Sequence, residues 1–323
     1  MQTFSQLGSE EQQEFYAQIL DLKKEGFGYK RIIKKFAKEK QVKLSPGILS
    51  YWFNNGVKNI GGENCFIPKA SPELSFVLGV MFGDGSLSYN KKRREYSLSL
   101  KATDKDFVEK FAGCGAKVVD KNFGFAAIKL KARKNDKPIY TTKIHGKKLY
   151  TFVKEIKKDF GRGEEFIGQF PAEFIQGLAD SEGTCSVSPC PGFSLVVNIA
   201  CSTNYPLLEY VKIILSNNYG VECGLQKTKS AGQQDSVIDG RVITRTKDLF
   251  VLSPLGLVES LKFLNVVGFS IARKVQKFDD YIFLREKYGR KKASALWLKI
   301  YHKEGRFWIR NDVKPIKEYF FDN

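Results

Sequence analysis

The sequence predicts an α+β fold. Two pseudo-symmetric units, each running helix, strand, strand, helix, strand, strand, helix (αββαββα) with antiparallel sheets, are flanked by helical extensions at both ends. Three observations carry this. The segment FVLGVMFGDG at 76–85 returns as FIQGLADSEG at 174–183. Both begin with Phe, carry Gly at the fourth position and end in an acid followed by Gly, and Glu182 follows Asp84 by 98 residues (182 − 84). That spacing is too long for a solenoid repeat and suits a duplicated small domain. Each copy is then followed by the same order of strand and helix patterns. Finally, 323 residues with 42% hydrophobic content are enough for two or three domains with their own cores.

Charge bounds the partners. Lys and Arg number 53 against 35 Asp and Glu, a net charge of +18. Such an excess points to a polyanion, nucleic acid first. No stretch approaches the roughly 18 apolar residues a membrane span needs. The polar start MQTFSQLGSEEQQ is no signal peptide. Six scattered cysteines (65, 114, 185, 190, 201 and 223) read as reduced thiols. The expected location is therefore intracellular, in cytoplasm, nucleoid or organelle matrix, with no secretion. Cys185 and Cys190 have no second pair, and His145 and His302 are the only histidines, so zinc lacks ligands at workable spacing.

Residues 1–58 read as three short helices. SEEQQEFYAQILDLKKEG places Phe15, Ile19 and Leu22 on one face, with Ser9 as N-cap. YKRIIKKFAKEKQ places Ile32, Ile33 and Phe36 at helical spacing. After a break at Val42-Lys43-Leu44, Ser45 can cap SPGILSYWF with Pro46 in its first turn. Three helices with a tight break before the last resemble a helix-turn-helix unit. Its third helix would lie in the major groove, with Ser50, Tyr51 and Asn54 facing DNA; the plainer alternative is a three-helix adaptor. GVKNIGGENC at 56–65 reads as linker, and the join is assigned to 59–70.

The two copies of the repeat open on helix-start signals, Ser71-Pro72-Glu73 and Pro171-Ala172-Glu173. Between start and acid the first copy is apolar all round, the mark of a helix buried on every side. Phe76, Gly79, Val80 and Gly83 form one stripe, matched by Phe174, Gly177, Leu178 and Ser181. Small residues let two backbones approach closely, so the helices are expected to pack along these stripes through Gly79 and Gly177. Their C-terminal ends then bring Asp84 and Glu182 together. Each acid is followed by a Gly, which can end a helix in conformations a Cβ penalises. Two carboxylates at helix C-termini oppose the macrodipole and each other. A divalent metal with hard oxygen ligands, magnesium above all, would relieve that.

The patterns after each acid run in parallel. SLSY, the basic turn NKKRR and EYSLSLKATD are matched by TCSVS, PCPG and FSLVVNIACSTN. The helices DKDFVEKFAGCG and YPLLEYVKIILSNNYG follow. KVVDKN, FAAIKLKAR and PIYTTKIHG are expected as strands in the first unit, and ECGLQKTK, RVITR and KDLFVLS in the second. Closing helices are KKLYTFVKEIKKDFG and PLGLVESLKFLNVVG. The units are assigned to 71–165 and 166–270.

On these residues the chain resembles the LAGLIDADG homing endonucleases, specifically the monomeric kind with two motifs. Val77–Gly85 and Ile175–Gly183 match the nine-residue signature, and the resemblance covers roughly 70–270. It implies a saddle of two antiparallel sheets over double-stranded DNA and a site-specific endonuclease that cuts a long, pseudo-palindromic or asymmetric target. Asp84 and Glu182 fall on the signature's metal-binding acid, which implies a magnesium site, open to manganese, with Gly83 and Ser181 beside the acids. Lys143 resembles the strand lysine that stabilises the transition-state phosphate. The second unit has Phe250-Val251-Leu252 where a base is expected, leaving Lys229, Arg245 or Lys247 to substitute. Asp180, two residues before Glu182, points to another side of the helix end and reads as structural, paired with a lysine.

Basic residues at alternate strand positions can track phosphates and read guanine edges. The DNA-contact set is Lys92, Arg93 and Arg94 at the turn, Lys101, Lys129, Lys131 and Arg133 in the first unit, and Lys227, Lys229, Arg245 and Lys247 in the second. Residues 271–323 read as a basic, aromatic, helical extension. There Arg290, Lys291, Lys292, Trp297 and Trp308 would extend DNA contact, unless the extension caps the second sheet. Two alternatives share the fold: a DNA-binding transcriptional regulator that does not cleave, and a maturase that binds its intron RNA. The target sequence is not written in any of these residues.

Overall fold

The computed structural model describes residues 2–4, 7, 9–55, 66–120, 127–130, 138–201, 205–238, 241–304, 307–311 and 316. The chain divides into two compact units, Met1–Ile67 with Gly146–Lys148, and Pro68–His145 with Leu149–Asn323.

The first unit holds β1 (Gln2–Thr3), α1 (Ser9–Lys24), α2 (Tyr29–Glu39), β2 (Val42–Lys43) and α3 (Pro46–Asn55). Ile19, Ile32, Phe36 and Leu49 form its buried centre, as the helical spacing requires. The segment predicted as a break forms a short parallel pairing of β2 with β1. Ser45 Oγ accepts the backbone N–H of Ile48 at 3.2 Å, capping α3.

The second unit runs α4 (Pro72–Phe82), β3 (Ser86–Asn90), β4 (Glu95–Ala102), α5 (Lys105–Val118), β5 (Ile128–Leu130), β6 (Ile139–His145) and α6 (Lys147–Lys158). After a 3-10 turn at Phe160–Gly163 come α7 (Glu164–Ile167), α8 (Pro171–Glu182), β7 (Gly183–Ser188), β8 (Ser194–Cys201), α9 (Tyr205–Tyr219) and β9 (Cys223–Lys229). The chain continues through β10 (Gln234–Ile238), β11 (Arg241–Thr244), β12 (Leu249–Pro254), α10 (Gly256–Val266), α11 (Ala272–Ile300), β13 (Tyr301–Glu304) and β14 (Phe307–Arg310). The two four-stranded antiparallel sheets have the same order, β3-β4-β6-β5 and β7-β8-β12-β9. First, second, fourth, third is thus written twice, and the fold is α+β. The second half carries an additional hairpin, β10 with β11, between its third and fourth sheet strands.

Helices α4 and α8 pack side by side as the duplicated stripes require. Every α4 residue from Leu74 to Met81 is buried. Ser71 caps α4 by accepting the N–H of Leu74, and Ser75 Oγ donates to the Phe170 carbonyl at 2.6 Å. A Cβ on Gly177 would stand 2.4 Å from the Phe76 carbonyl oxygen, so only Gly admits this approach. Gly85 and Gly183 serve a different purpose from the one expected. Neither has a positive φ. A Cβ on Gly85 would meet Met81 Sδ at 2.6 Å, and one on Gly183 the Ala179 carbonyl oxygen at 2.2 Å. Glycine is required there because the departing strand grazes the helix it has just left.

Three expectations are corrected. The described part of KVVDKN is not a strand: Lys117 and Val118 finish α5, Val119 and Asp120 form a turn, and the last two residues lie outside the described residues. Local β-branching lost there to continuation of an amphipathic helix that buries Phe107, Val108 and Phe111. The C-terminal extension is not wholly helical, since it includes the antiparallel pair β13 and β14. Trp297 is not a surface contact. It is fully buried, stacked on Tyr301 at 3.9 Å and packed edge-on to Phe193. The extension caps the second sheet: α11 packs on β7, and its Arg285 and Ser294 donate to the carbonyls of Phe193 and Pro189. Among the described residues no helix is long and apolar enough to cross a membrane.

Candidate functional site

The site forms where α4 and α8 end. α4 stops at Phe82 and β3 begins at Ser86, so Asp84 sits in the short step between them. α8 runs through Glu182 directly into β7. The two ends touch: a Cβ on Gly83 would stand 2.3 Å from Ser181 Cβ and 3.2 Å from Glu182 Cγ. Ser181 Oγ itself turns back to donate to the Gly177 carbonyl.

Burial pushes the Asp84 carboxyl above the usual carboxylate range, although the residue reaches the surface. Burial also raises Glu182, and the neighbouring Asp84 charge raises it further. Among the described residues neither carboxylate has a hydrogen-bond donor or an ion-pair partner. A fold gains nothing from two neighbouring carboxylates in that state. The donor set is all hard oxygen, which fits a magnesium-like cation. Among the described residues no third His, Cys, Asp or Glu joins the pair. Carbonyls, water and a bound phosphate would have to complete any coordination shell.

One cation at the site is absent from the sequence-based expectations. Lys274, near the start of α11, is buried and donates from Nζ to the carbonyls of Ala179 (3.0 Å), Asp180 (2.9 Å) and Gly183 (2.7 Å). It thereby satisfies carbonyls that end α8 and offsets the negative pole of that helix. Burial lowers its pKa to about 8, and its charge favours the ionised forms of both Asp84 and Glu182. The first copy is met similarly: Lys157 of α6 donates to the Met81 carbonyl, and burial lowers its pKa too. Met81 and Ala179 are counterparts at the 98-residue offset (179 − 81). Asp180 is buried and accepts the backbone N–H (2.9 Å) and hydroxyl of Ser270, a structural set next to Lys274.

The basic residues fall into distinct places. Ser86, the first residue of β3, pairs with Ser99. Lys101, two residues further along β4, and Asp84 line one cavity of about 460 Å³. In the second half Thr184 pairs with Asn198 as Ser86 pairs with Ser99, so Ala200 holds the β8 position that Lys101 holds on β4. Lys143 is exposed opposite Ser99, one strand further from Asp84 than Lys101 is. Its counterpart by register is Ser253, whose hydroxyl bonds Asn198 at 2.7 Å. Lys129 is exposed on β5, and Lys92, Arg93 and Arg94 are exposed at the β3–β4 turn. Lys227 is paired with Asp248, and Lys229 and Arg245 share Asp235. Lys247 is exposed. Lys131 and Arg133 lie outside the described residues, as do the side chains of Tyr51 and Asn54; Ser50 lies on α3.

No protein-family model matches the chain. It is 28% identical over 291 residues to an uncharacterised protein of Methanocaldococcus jannaschii, covering 89% of this chain and all of that one. A second uncharacterised protein of that organism is 30% identical over 163 residues, 47% of this chain and 58% of the relative. Solved structures with some likeness include the homing endonuclease I-DmoI in complex with DNA and calcium (TM-score 0.43, 20% identity, 64% of this chain and 97% of that one). Others are the N-terminal LAGLIDADG domain of DUF199/WhiA (0.38, 15%, 65% and 90%) and the LAGLIDADG homing endonuclease I-GzeII in complex with its DNA target (0.38, 13%, 68% and 90%).

Proposed function

We propose that this chain is a site-specific double-stranded DNA endonuclease of the LAGLIDADG homing type, hydrolysing phosphodiester bonds with magnesium. The supporting observation is the meeting of Asp84, at the surface, and Glu182, partly buried, without a protein cation in contact, at the joined ends of a duplicated helix pair. These acids, with backbone oxygens at Gly83 and Ser181, would hold the metal, and manganese would substitute. Such an ion neutralises phosphate charge and makes water a nucleophile at neutral pH. Lys274 keeps the end of α8 in place and holds positive charge beside both acids. Lys101 lines the same cavity as Asp84 and would supply positive charge to a phosphate there, with Lys143 on the neighbouring strand. The exposed bases of the first sheet position the DNA backbone, and α3 of the N-terminal unit adds a helix-turn-helix contact through Ser50, Tyr51 and Asn54. The chain acts as a monomer because both acids come from one polypeptide.

The test is incubation of the purified chain with plasmid carrying its gene's uninterrupted insertion locus, with Mg²⁺ and then with EDTA. Discrete Mg²⁺-dependent cuts lost in Asp84→Asn and Glu182→Gln, with DNA binding kept, support the proposal. Tight binding without cuts in Mg²⁺ or Mn²⁺ sinks it. That outcome would favour the non-cleaving regulator, a reading that has Ala200 in its favour, since the second half offers no strand base at the place of Lys101.

A further inference from the structure

The cavity at Asp84 does not end at the acids. A second cavity of about 480 Å³ adjoins it, and the two share Thr103, Asp104, Arg273, Lys277 and Trp308. Together they make one groove that includes Asp84. One wall is the end of β4, with Lys101 and Thr103. The other is α11 and β14, with Lys277 and Trp308.

The chemistry of this groove is specific. Arg273 is committed: it grips Asp104 with two nitrogens, one at 2.8 Å, and that pair ties α11 to the start of α5. Its charge and that of Asp104 cancel. Lys101 and Lys277 line the groove as cations beside Asp84, and Trp308, partly exposed, is the aromatic side chain shared by both cavities. Trp52 and Trp297, the other two tryptophans, are both buried. A groove with cations for a phosphodiester backbone and an aromatic platform for bases fits a single-stranded nucleic acid. Duplex DNA does not offer unstacked bases to a tryptophan.

We propose that this groove, built by the C-terminal extension against β4, binds a single-stranded nucleic-acid segment, with a base stacked on Trp308 and phosphates against Lys277 and Lys101. The proposal stands independently of cleavage, because it asks nothing of Asp84 or Glu182.

The full chain is titrated with oligo-dT and oligo-U of about 10 nucleotides, a length within single-strand site sizes, at low salt in EDTA. Tryptophan emission and oligonucleotide anisotropy are followed. Saturable binding with quenched emission is expected. The quench should vanish in Trp308→Phe. Affinity should fall about tenfold or more in Trp308→Ala, the loss of one base stack, and also fall in Lys277→Ala. Preference for oligo-dT or for oligo-U supports the groove and names its natural strand. Unchanged affinity in both Trp308→Ala and Lys277→Ala overturns the proposal, as does a quench that persists in Trp308→Phe. Thermal melts of each variant separate lost binding from lost fold, and Lys277→Ala, at a partly exposed position, carries the test if the tryptophan variants unfold.

Discussion

A Cβ added to Gly79 would stand 2.0 Å from the carbonyl oxygen of Phe174, in the facing helix. The obstacle is backbone, which cannot swing aside as a side chain can. Gly79→Ala must therefore separate α4 from α8 and pull the two acids apart. The expected loss is at the upper end of overpacking costs, about 3 kcal/mol, or roughly 6 °C or more in Tm for a unit of this size. Gly113→Ala is the control. Gly113 lies in α5 with nothing within 4 Å of its missing Cβ, so this change should be neutral or slightly stabilising. Equal melting temperatures for the two variants would contradict close backbone packing of the helix pair.

Lys274→Met tests the capped end of α8. It leaves the carbonyls of Ala179, Asp180 and Gly183 without their donor and removes the charge that favours ionised Asp84 and Glu182. Removing one partner from a buried charged set costs about 3–5 kcal/mol. A purely structural role would lower Tm alone. A role in keeping the acids ionised also requires weaker metal binding at neutral pH by the folded variant, measured by calorimetry below its Tm. Unchanged metal affinity would limit Lys274 to stability.

Much of this architecture is legible in the sequence because it is written twice. The helix pair, both sheets and the meeting of the acids follow from a repeated segment and period-2 patterns. Lys274 is not legible, because its partners are backbone carbonyls 91 to 95 residues earlier and carbonyls carry no sequence signal. Trp297 misleads for a related reason. Its basic neighbours suggest surface, yet its core partner Phe193 lies on the β7–β8 connection, far away in the chain. Gly85 and Gly183 look like helix stops in the sequence, whereas the steric demand comes from the helix the chain has just left.

The acids make stability depend on pH and metal with a definite sign. The folded pKa of Asp84 lies above its ordinary 3.8, mainly through burial, and that of Glu182 above 4.5 through burial and then Asp84. As pH rises from about 4, the unfolded chain releases these protons first. The folded state then holds more protons, so these two groups lower stability as pH climbs through their folded values and keep it lowered above them. Asp84→Asn should therefore match wild type near pH 4 and exceed it in Tm at pH 7 in EDTA. Millimolar Mg²⁺ should raise the wild-type Tm at pH 7 and leave Asp84→Asn nearly unmoved. A variant less stable than wild type at pH 7 without metal would reverse the sign and refute the strain assigned to the pair.

The two halves are duplicated in fold but unequal in charge, and this asymmetry should appear in cleavage. Asp84 and Lys101 line one cavity, whereas the β8 position that matches Lys101 in the second half is Ala200. Lys143 has Ser253 as its counterpart. Under the proposed endonuclease function, the strand held near Lys101 should be cut faster than the other, so a nicked intermediate should accumulate. Lys101→Met should slow that faster cut by about 10²-fold, the scale of losing one preorganised charge at a transition state, and leave the slower cut nearly unchanged. End-labelled duplexes, one label per strand, read the two rates separately. Equal rates in wild type, or equal slowing of both strands in Lys101→Met, would show that the charge difference between the halves has no kinetic consequence.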